Sequence, residues 1–166
     1  EGSMNVSVLR LPYIFGTMQG KVPTTSMYVD MLRGQEFMPV TTGGFATITA
    51  NQVGEAAIGA LENGEHRKTY APATGYISYE DFYKKILKEL GQTETTKLQV
   101  MTFDELEEAY KEDEKLTDTQ GIEHGIRQVN MLRANSMELK LPTDDAYERL
   151  RVNKEDAEKT RDETIK

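Results

Sequence analysis

Eight tyrosines, two histidines and 28 carboxylates are the groups in this chain whose spacing could support chemistry. A phenol works as a base near neutral pH only when a neighbouring cation lowers its pKa, which on a helix means a lysine four residues on. The tyrosines fail this requirement: Tyr79 is followed at that distance by Tyr83, Tyr83 by Leu87, Tyr110 by Glu114 and Tyr147 by Arg151. A dinucleotide cradle needs G-x-G-x-x-G between a strand and a helix, so that backbone amides reach a pyrophosphate. The chain offers Gly16-x-x-x-Gly20, Gly43-Gly44 and Gly121-x-x-x-Gly125, and it has no Walker-type loop. His66 and His124 lack a His or carboxylate partner at metal-ligand spacing on an apolar face, so both read as solvated and no metal site is expected. No G-x-S-x-G elbow supports a nucleophilic serine. The absence of cysteine removes thiolate catalysis, disulfides and cysteine-ligated zinc. The carboxylates of Asp104–Glu108 and Glu112–Glu114 read as solvated helix faces. No catalytic residue is therefore expected in this chain.

The aromatic pair Tyr13 and Phe15 stands apart, because it follows the most apolar strand signal in the sequence. Val6-Ser7-Val8-Leu9-Arg10-Leu11 is almost continuously apolar, the pattern of a strand covered on both faces, and Pro12 to Gly16 read as the loop after it. In open α/β sheets, ligands bind beyond the carboxyl ends of the strands. Position alone leaves two readings of Tyr13 and Phe15, as ligand-facing rings or as core.

The remaining elements follow from periodicity and caps. Thr25 to Arg33 reads as a short helix stopped by Gly34, with Met27, Tyr28, Met31 and Leu32 on one face. Phe37–Val40 and Phe45–Thr49 read as strands around a Thr41–Gly44 turn. Gln52–Asn63 reads as a helix capped by Asn51, with Val53, Ala56, Ala57, Ala60 and Leu61 as its apolar stripe. Gly54 and Gly59 lower its helix propensity, which suggests a close neighbour there. Lys68–Ala73 reads as a strand. Ser78 caps a helix whose buried face is Tyr79, Phe82, Tyr83, Ile86, Leu87 and Leu90. Leu98–Met101 reads as a strand, and Thr102 with Glu105 forms a capping box for a helix through Tyr110. Beyond the charge run 111–115, helices are expected around Ile122–Val129, near Asp144–Leu150 after Pro142, and from Lys154 onward behind Asn153. The last of these is poor in apolar residues and reads as a solvated helix or frayed tail. Alternating strands and helices indicate an α/β class, or α+β for the chain taken alone.

A net charge of −8 without a basic stripe argues against nucleic acid and anionic membrane as partners. No apolar run approaches the roughly 18 residues of a membrane span. No signal peptide is visible, residues 1–3 read as a tag or cut end, and the expected location is the cytoplasm.

Three segments carry a resemblance. Val6-Ser7-Val8-Leu9-Arg10-Leu11-Pro12-Tyr13-Ile14-Phe15-Gly16 resembles the strand, Leu-Arg, proline loop and glycine that follow the catalytic tyrosine and lysine in the NAD-dependent epimerase/dehydratase family. These are the extended short-chain dehydrogenases, with NmrA-like relatives. Ala46-Thr47-Ile48-Thr49-Ala50-Asn51-Gln52-Val53-Gly54-Glu55-Ala56 is similar to the family's strand and Val-Asp-Asp-Val-Ala helix, with Asn51 and Gln52 where two acids are common. Tyr70-Ala71-Pro72-Ala73 through Ser78 to Leu90 resembles a strand, loop and helix of the family's C-terminal lobe. The three lie in the family's order across residues 4–92.

The resemblance implies the C-terminal, substrate-side lobe of a Rossmann-type protein. Residues 4–115 would form the substrate-binding lobe, one strand of it belonging to the Rossmann sheet, and residues 116–166 a helical C-terminal extension. The dinucleotide-binding half would precede residue 4, on the order of 150 residues long. NAD or NADP would bind the full-length parent and not this chain alone. Pro12, Tyr13 and Ile14 would face the nicotinamide. Phe15, Met27 and Tyr28 would approach a small-molecule substrate. A non-catalytic regulator of the same fold, sensing dinucleotide or binding protein, is the alternative that the resemblance also allows. A free-standing interaction domain is a third reading. An apolar strand without its neighbours is an association hazard, so the chain is expected to form a homodimer through Val6–Leu11.

Overall fold

The computed structural model describes residues 4–17, 20–23, 25–110, 135–154 and 157–165. The readings at Ile122, His124, Ile126 and Val129, and the charge run 111–115, lie outside them. The fold is α/β, as the alternation of elements indicates. The chain divides into two compact units. One comprises Glu1–Asp30, Phe45–Ile77 and Lys140–Lys166, the other Met31–Gly44 and Ser78–Leu139.

In the first unit, β1 (Val8–Leu9) pairs in parallel with β5 (Thr69–Tyr70). The apolar run expected as one strand from Val6 to Leu11 is shorter than that. It breaks at Arg10-Leu11-Pro12, where proline has no N–H to give a ladder. The chain then re-enters a sheet as β2 (Tyr13–Phe15), a stretch expected to be loop. A second sheet holds β2, β4 (Gly44–Thr49) and β6 (Gly75–Ser78) in the order β2-β4-β6. The strand buried along its whole length is β4, which has a neighbour on each side. Val6, Val8 and Leu11 are instead 49%, 51% and 39% exposed.

Strand β4 runs directly into α2 (Ala50–Asn63), so the cap is Thr49 and not Asn51. The helix buries Gln52, Ala56 and Gly59 and leaves Ala57 and Leu61 outside, a rotation away from the expected stripe. Gly59 explains it. A Cβ there would lie 2.0 Å from the Leu150 carbonyl oxygen, at the end of a π-helical turn over Asp145–Arg149. Only a residue without Cβ lets that backbone seat on the helix. Ala56, Tyr70, Ala146, Leu150 and Val152 form the core around this contact. Gly54 has open space about it.

The last helix in sequence packs as well. Ala157–Ile165 contacts β2, and Arg161 and Ile165 are buried, so it is not the solvated tail its composition suggests. In the second unit, β3 (Phe37–Thr41) pairs in parallel with β7 (Lys97–Met101). The helix α3 (Tyr79–Glu89) packs on β3 through its apolar face, with Phe82, Tyr83, Ile86 and Leu87 buried. Ser78 caps it, accepting from the Asp81 N–H at 3.0 Å. The helix α4 (Phe103–Tyr110) opens on the expected capping box: the Glu105 carboxylate accepts from the Thr102 N–H at 2.7 Å, and Thr102 Oγ1 accepts from the Glu105 N–H at 3.3 Å. The Thr102 N–H and hydroxyl, both donating to the Glu105 carboxylate, hold its carboxyl below its ordinary pKa. The short strand β8 is Glu138–Leu139. The first helix, α1, is Thr25–Leu32, and the last, Ala157–Ile165, is α5.

Candidate functional site

Strands β2 and β4 are parallel and in register, with Tyr13 opposite Thr47, Ile14 opposite Ile48 and Phe15 opposite Thr49. Their carboxyl ends therefore stop at one level. Gly16 follows β2 and Ala50 opens α2 directly beside it. A Cβ on Gly16 would come within 2.6 Å of the Ala50 Cβ, so the glycine sets how closely the two strand ends approach.

A cleft of about 220 Å³ opens at these strand ends. Ile14, Gly16 and Ala50 form its floor. Thr17, Lys21, Val22 and Pro23, from the segment after β2, form one side. Thr25 at the start of α1 and Thr164 on α5 complete the lining. The chain's beginning, middle and end thus meet at one place. It is where parallel-strand architecture puts ligands, because loops and helix starts gather there.

Behind the cleft lies a buried polar network. Gln52 is 3% exposed and every polar atom of its side chain is used. Its Oε1 accepts from the Thr49 N–H at 3.2 Å and from Thr74 Oγ1 at 2.6 Å. Its Nε2 donates to the Asn153 carbonyl at 3.0 Å, and its own N–H donates to Thr49 Oγ1 at 3.2 Å. The start of α2, the β5–β6 loop and the segment before α5 are fixed to one another by this one amide. Glu55, on the next turn, accepts from the Asn153 N–H at 2.8 Å.

The residues singled out from sequence scatter around the cleft. Ile14 is 43% exposed and lines it. Pro12 and Tyr13 are half-buried. Tyr13 packs its ring 5.0 Å from those of Phe15 and Phe45. Phe15 has no exposed surface. On α1, Met27 is 61% exposed and Tyr28 half-buried, and burial raises the Tyr28 phenol pKa above its ordinary value. Neither is among the described lining residues, which take Thr25 from that helix. Sequence reasoning missed Thr17, Lys21, Thr25 and Thr164. They are small or polar residues in loops and at helix ends, and no periodicity marks them.

Among the described residues no cluster of three or more His, Cys, Asp or Glu could hold a metal ion. Among them, too, no helix is long and apolar enough to cross a membrane.

No family model matches the chain, and no curated protein matches it. Its fold is found in solved structures. PA4631, a nucleoside-diphosphate-sugar epimerase from Pseudomonas aeruginosa, superposes with a TM-score of 0.65 over 98% of this chain at 17% identity. The protein gox2253 superposes with a TM-score of 0.64 over 94% of the chain at 19% identity. The match takes up 46% and 47% of those two chains, so this chain spans about half the length of the structures it resembles. What is shared is the fold.

Proposed function

We propose that this chain is the substrate-binding portion of an NAD(P)-dependent epimerase, dehydratase or reductase, and that it is inactive without a dinucleotide-binding half. The observation that carries the reading is the state of β1. Among the described residues it has a strand neighbour, β5, on one side only, and its Val8, with Val6 and Leu11 just outside the strand, is open to solvent. A parallel pair of that composition is normally interior to a larger sheet. The fold shared with half of a nucleoside-diphosphate-sugar epimerase supplies the kind of sheet it would join.

In this reading the dinucleotide-binding half adds parallel strands beside β1 and brings NAD or NADP to the loop after it. Pro12, Tyr13 and Ile14 face the nicotinamide. Met27 and Tyr28 approach a small-molecule substrate, Tyr28 as a neutral phenol able to donate a hydrogen bond. Phe15, fully covered, acts from behind by bracing the Tyr13 ring. The protein works in the cytoplasm.

The test has two parts. The 166-residue chain titrated with NAD or NADP shows no specific binding. The same chain joined to a half carrying a glycine-rich strand–helix and a tyrosine–lysine pair binds dinucleotide, and Ile14→Lys weakens that binding. Tight dinucleotide binding by the isolated chain, or a parent reading frame with no glycine-rich strand–helix upstream, refutes the assignment.

A further inference from the structure

We propose that Asn63–Gly64 is a self-modification site: the Asn63 side-chain amide becomes an acid, without an enzyme, whenever the last turn of α2 opens, and the segment leading into β1 keeps that turn shut. All the residues involved belong to one compact unit. The inference is independent of the reading of the chain as a substrate-binding portion.

The chemistry needs two neighbouring groups and water. The Gly64 backbone nitrogen attacks the Asn63 side-chain carbonyl carbon and gives up its proton. The Cγ–Nδ2 bond breaks and ammonia leaves, which closes a succinimide ring. Water then opens the ring at either carbonyl, giving aspartate or isoaspartate, and nothing is oxidised or reduced. A glycine favours the attack because it has no side chain to shield its nitrogen. The chain has six asparagines, and only Asn63 precedes a glycine.

The fold holds this pair in place for structural reasons. Gly64 closes α2, and a Cβ on it would lie 2.2 Å from the Ala60 carbonyl oxygen and 3.1 Å from Ser7 Oγ, so a side chain does not fit. Asn63 Nδ2 donates to the Gly59 carbonyl at 3.3 Å, at the end of the helix where carbonyls run short of donors. Asn63 is also exposed, so water reaches it.

The same contacts hold the reaction back. The Gly64 N–H donates to the Ala60 carbonyl at 2.9 Å, so the nucleophile's proton is engaged. Ring closure must break that bond and the Asn63–Gly59 bond, and must take Asn63 out of its helical backbone. The turn beyond Gly64 is clamped as well. The Glu65 N–H donates to the Tyr70 hydroxyl at 2.9 Å. Val6 bonds twice: its N–H donates to His66 Nδ1 at 3.2 Å, and its carbonyl accepts from the Arg67 N–H at 2.6 Å. Arg67 has a φ of 62°, which a residue with a side chain keeps only where its surroundings enforce it. The segment leading into β1 is therefore a strap across the joint between α2 and β5. Isoaspartate at position 63 adds a methylene to the backbone at that joint, so conversion in turn loosens the pairing of β1 with β5.

The 166-residue chain is aged at mildly alkaline pH, native and in urea above its unfolding transition. Conversion at each asparagine is followed by peptide mass spectrometry with enzymatic labelling of isoaspartate. In urea, Asn63 should convert faster than every other asparagine. In the native chain its rate should be lower by about tenfold or more, the ratio being set by the free energy of opening the turn locally. His66→Ala, at an exposed position, removes the acceptor for the Val6 N–H. It should raise the native rate several-fold and leave the rate in urea alone. Equal native and urea rates overturn the proposal, because the turn then guards nothing. So does an Asn63 that outlasts Asn135 in urea, or a native rate that His66→Ala leaves unchanged.

Discussion

Replacing Gln52 by Glu should destabilise the protein in a manner that depends steeply on pH. The amide of Gln52 accepts two hydrogen bonds and donates one, to the Asn153 carbonyl. A carboxylate keeps the two accepted bonds and strengthens them. It cannot donate, so the Asn153 carbonyl faces an anion where it now meets an N–H. Leaving that acceptor unsatisfied costs about 1–3 kcal/mol. The position is 3% exposed, and Glu55 sits one turn on, so the new charge is desolvated and repelled. Together these should cost about 3–5 kcal/mol at neutral pH, the range for an uncompensated buried charge. When protonated, the acid regains a donor for Asn153, and the cost should fall to about 1 kcal/mol.

Burial raises the new carboxyl's pKa in the folded state above the unfolded value of about 4.3. The variant should therefore be nearest the parent below that pH. It should lose stability by about 1.4 kcal/mol per pH unit as pH rises, until its folded pKa is passed. Urea unfolding of both proteins between about pH 4.5 and pH 8 reads this directly. A penalty that is flat with pH, or below about 1 kcal/mol at neutral pH, refutes the account of Gln52 as an obligatory neutral amide.

Gly59→Ala should destabilise by about 1–3 kcal/mol in the same assay, because its methyl must displace the Leu150 carbonyl; Gly54→Ala, in open space, should be neutral or slightly stabilising. In a phenolate absorbance titration the last transition should shrink in both Tyr28→Phe and Tyr147→Phe, since burial raises both phenols. The sign follows from linkage: a raised phenol pKa leaves stability intact below the unfolded value and removes it as pH climbs past, so Tyr28→Phe should resist alkaline unfolding better than the parent. We propose that the exposed β1 strand pairs with a second copy; sedimentation should show a homodimer that Val8→Lys converts to monomer, and a stable monomer of the unaltered chain at high concentration would count against it.

The elements most legible in the sequence are those with two local signals that agree. Helix α3 has a serine cap at one end, Gly91 at the other and an apolar stripe between, and it forms over that span. The capping box of Thr102 and Glu105 is equally local. Where two interactions compete, local pattern misleads. Asn51 is a good cap by type, but β4 continues to Thr49 and hands the role to that residue, with Gln52 closing the box. The apolar stripe on α2 is outvoted by one backbone contact at Gly59, which hydrophobic periodicity cannot weigh. The final helix has a single aliphatic residue near its end, Ile165, and the burial of a cation, Arg161, on the same face left no amphipathic signal.

The site was legible at its base and not at its rim. An apolar strand signal leading to Gly16 marks the end of a parallel strand, where the cleft opens. Thr25 and Thr164 have no such signature, because they meet only after the chain has folded back on itself. The network at Gln52 connects these facts. Gln52 donates to the Asn153 carbonyl, which an ionised carboxylate in its place could not do. That carbonyl lies on the segment leading to α5, whose Thr164 walls the cleft. The neutral amide at position 52 and the placement of the C-terminal helix beside the cleft are therefore coupled. A chain with Asp or Glu at position 52 should lose the α5 wall before it loses the strands β2 and β4.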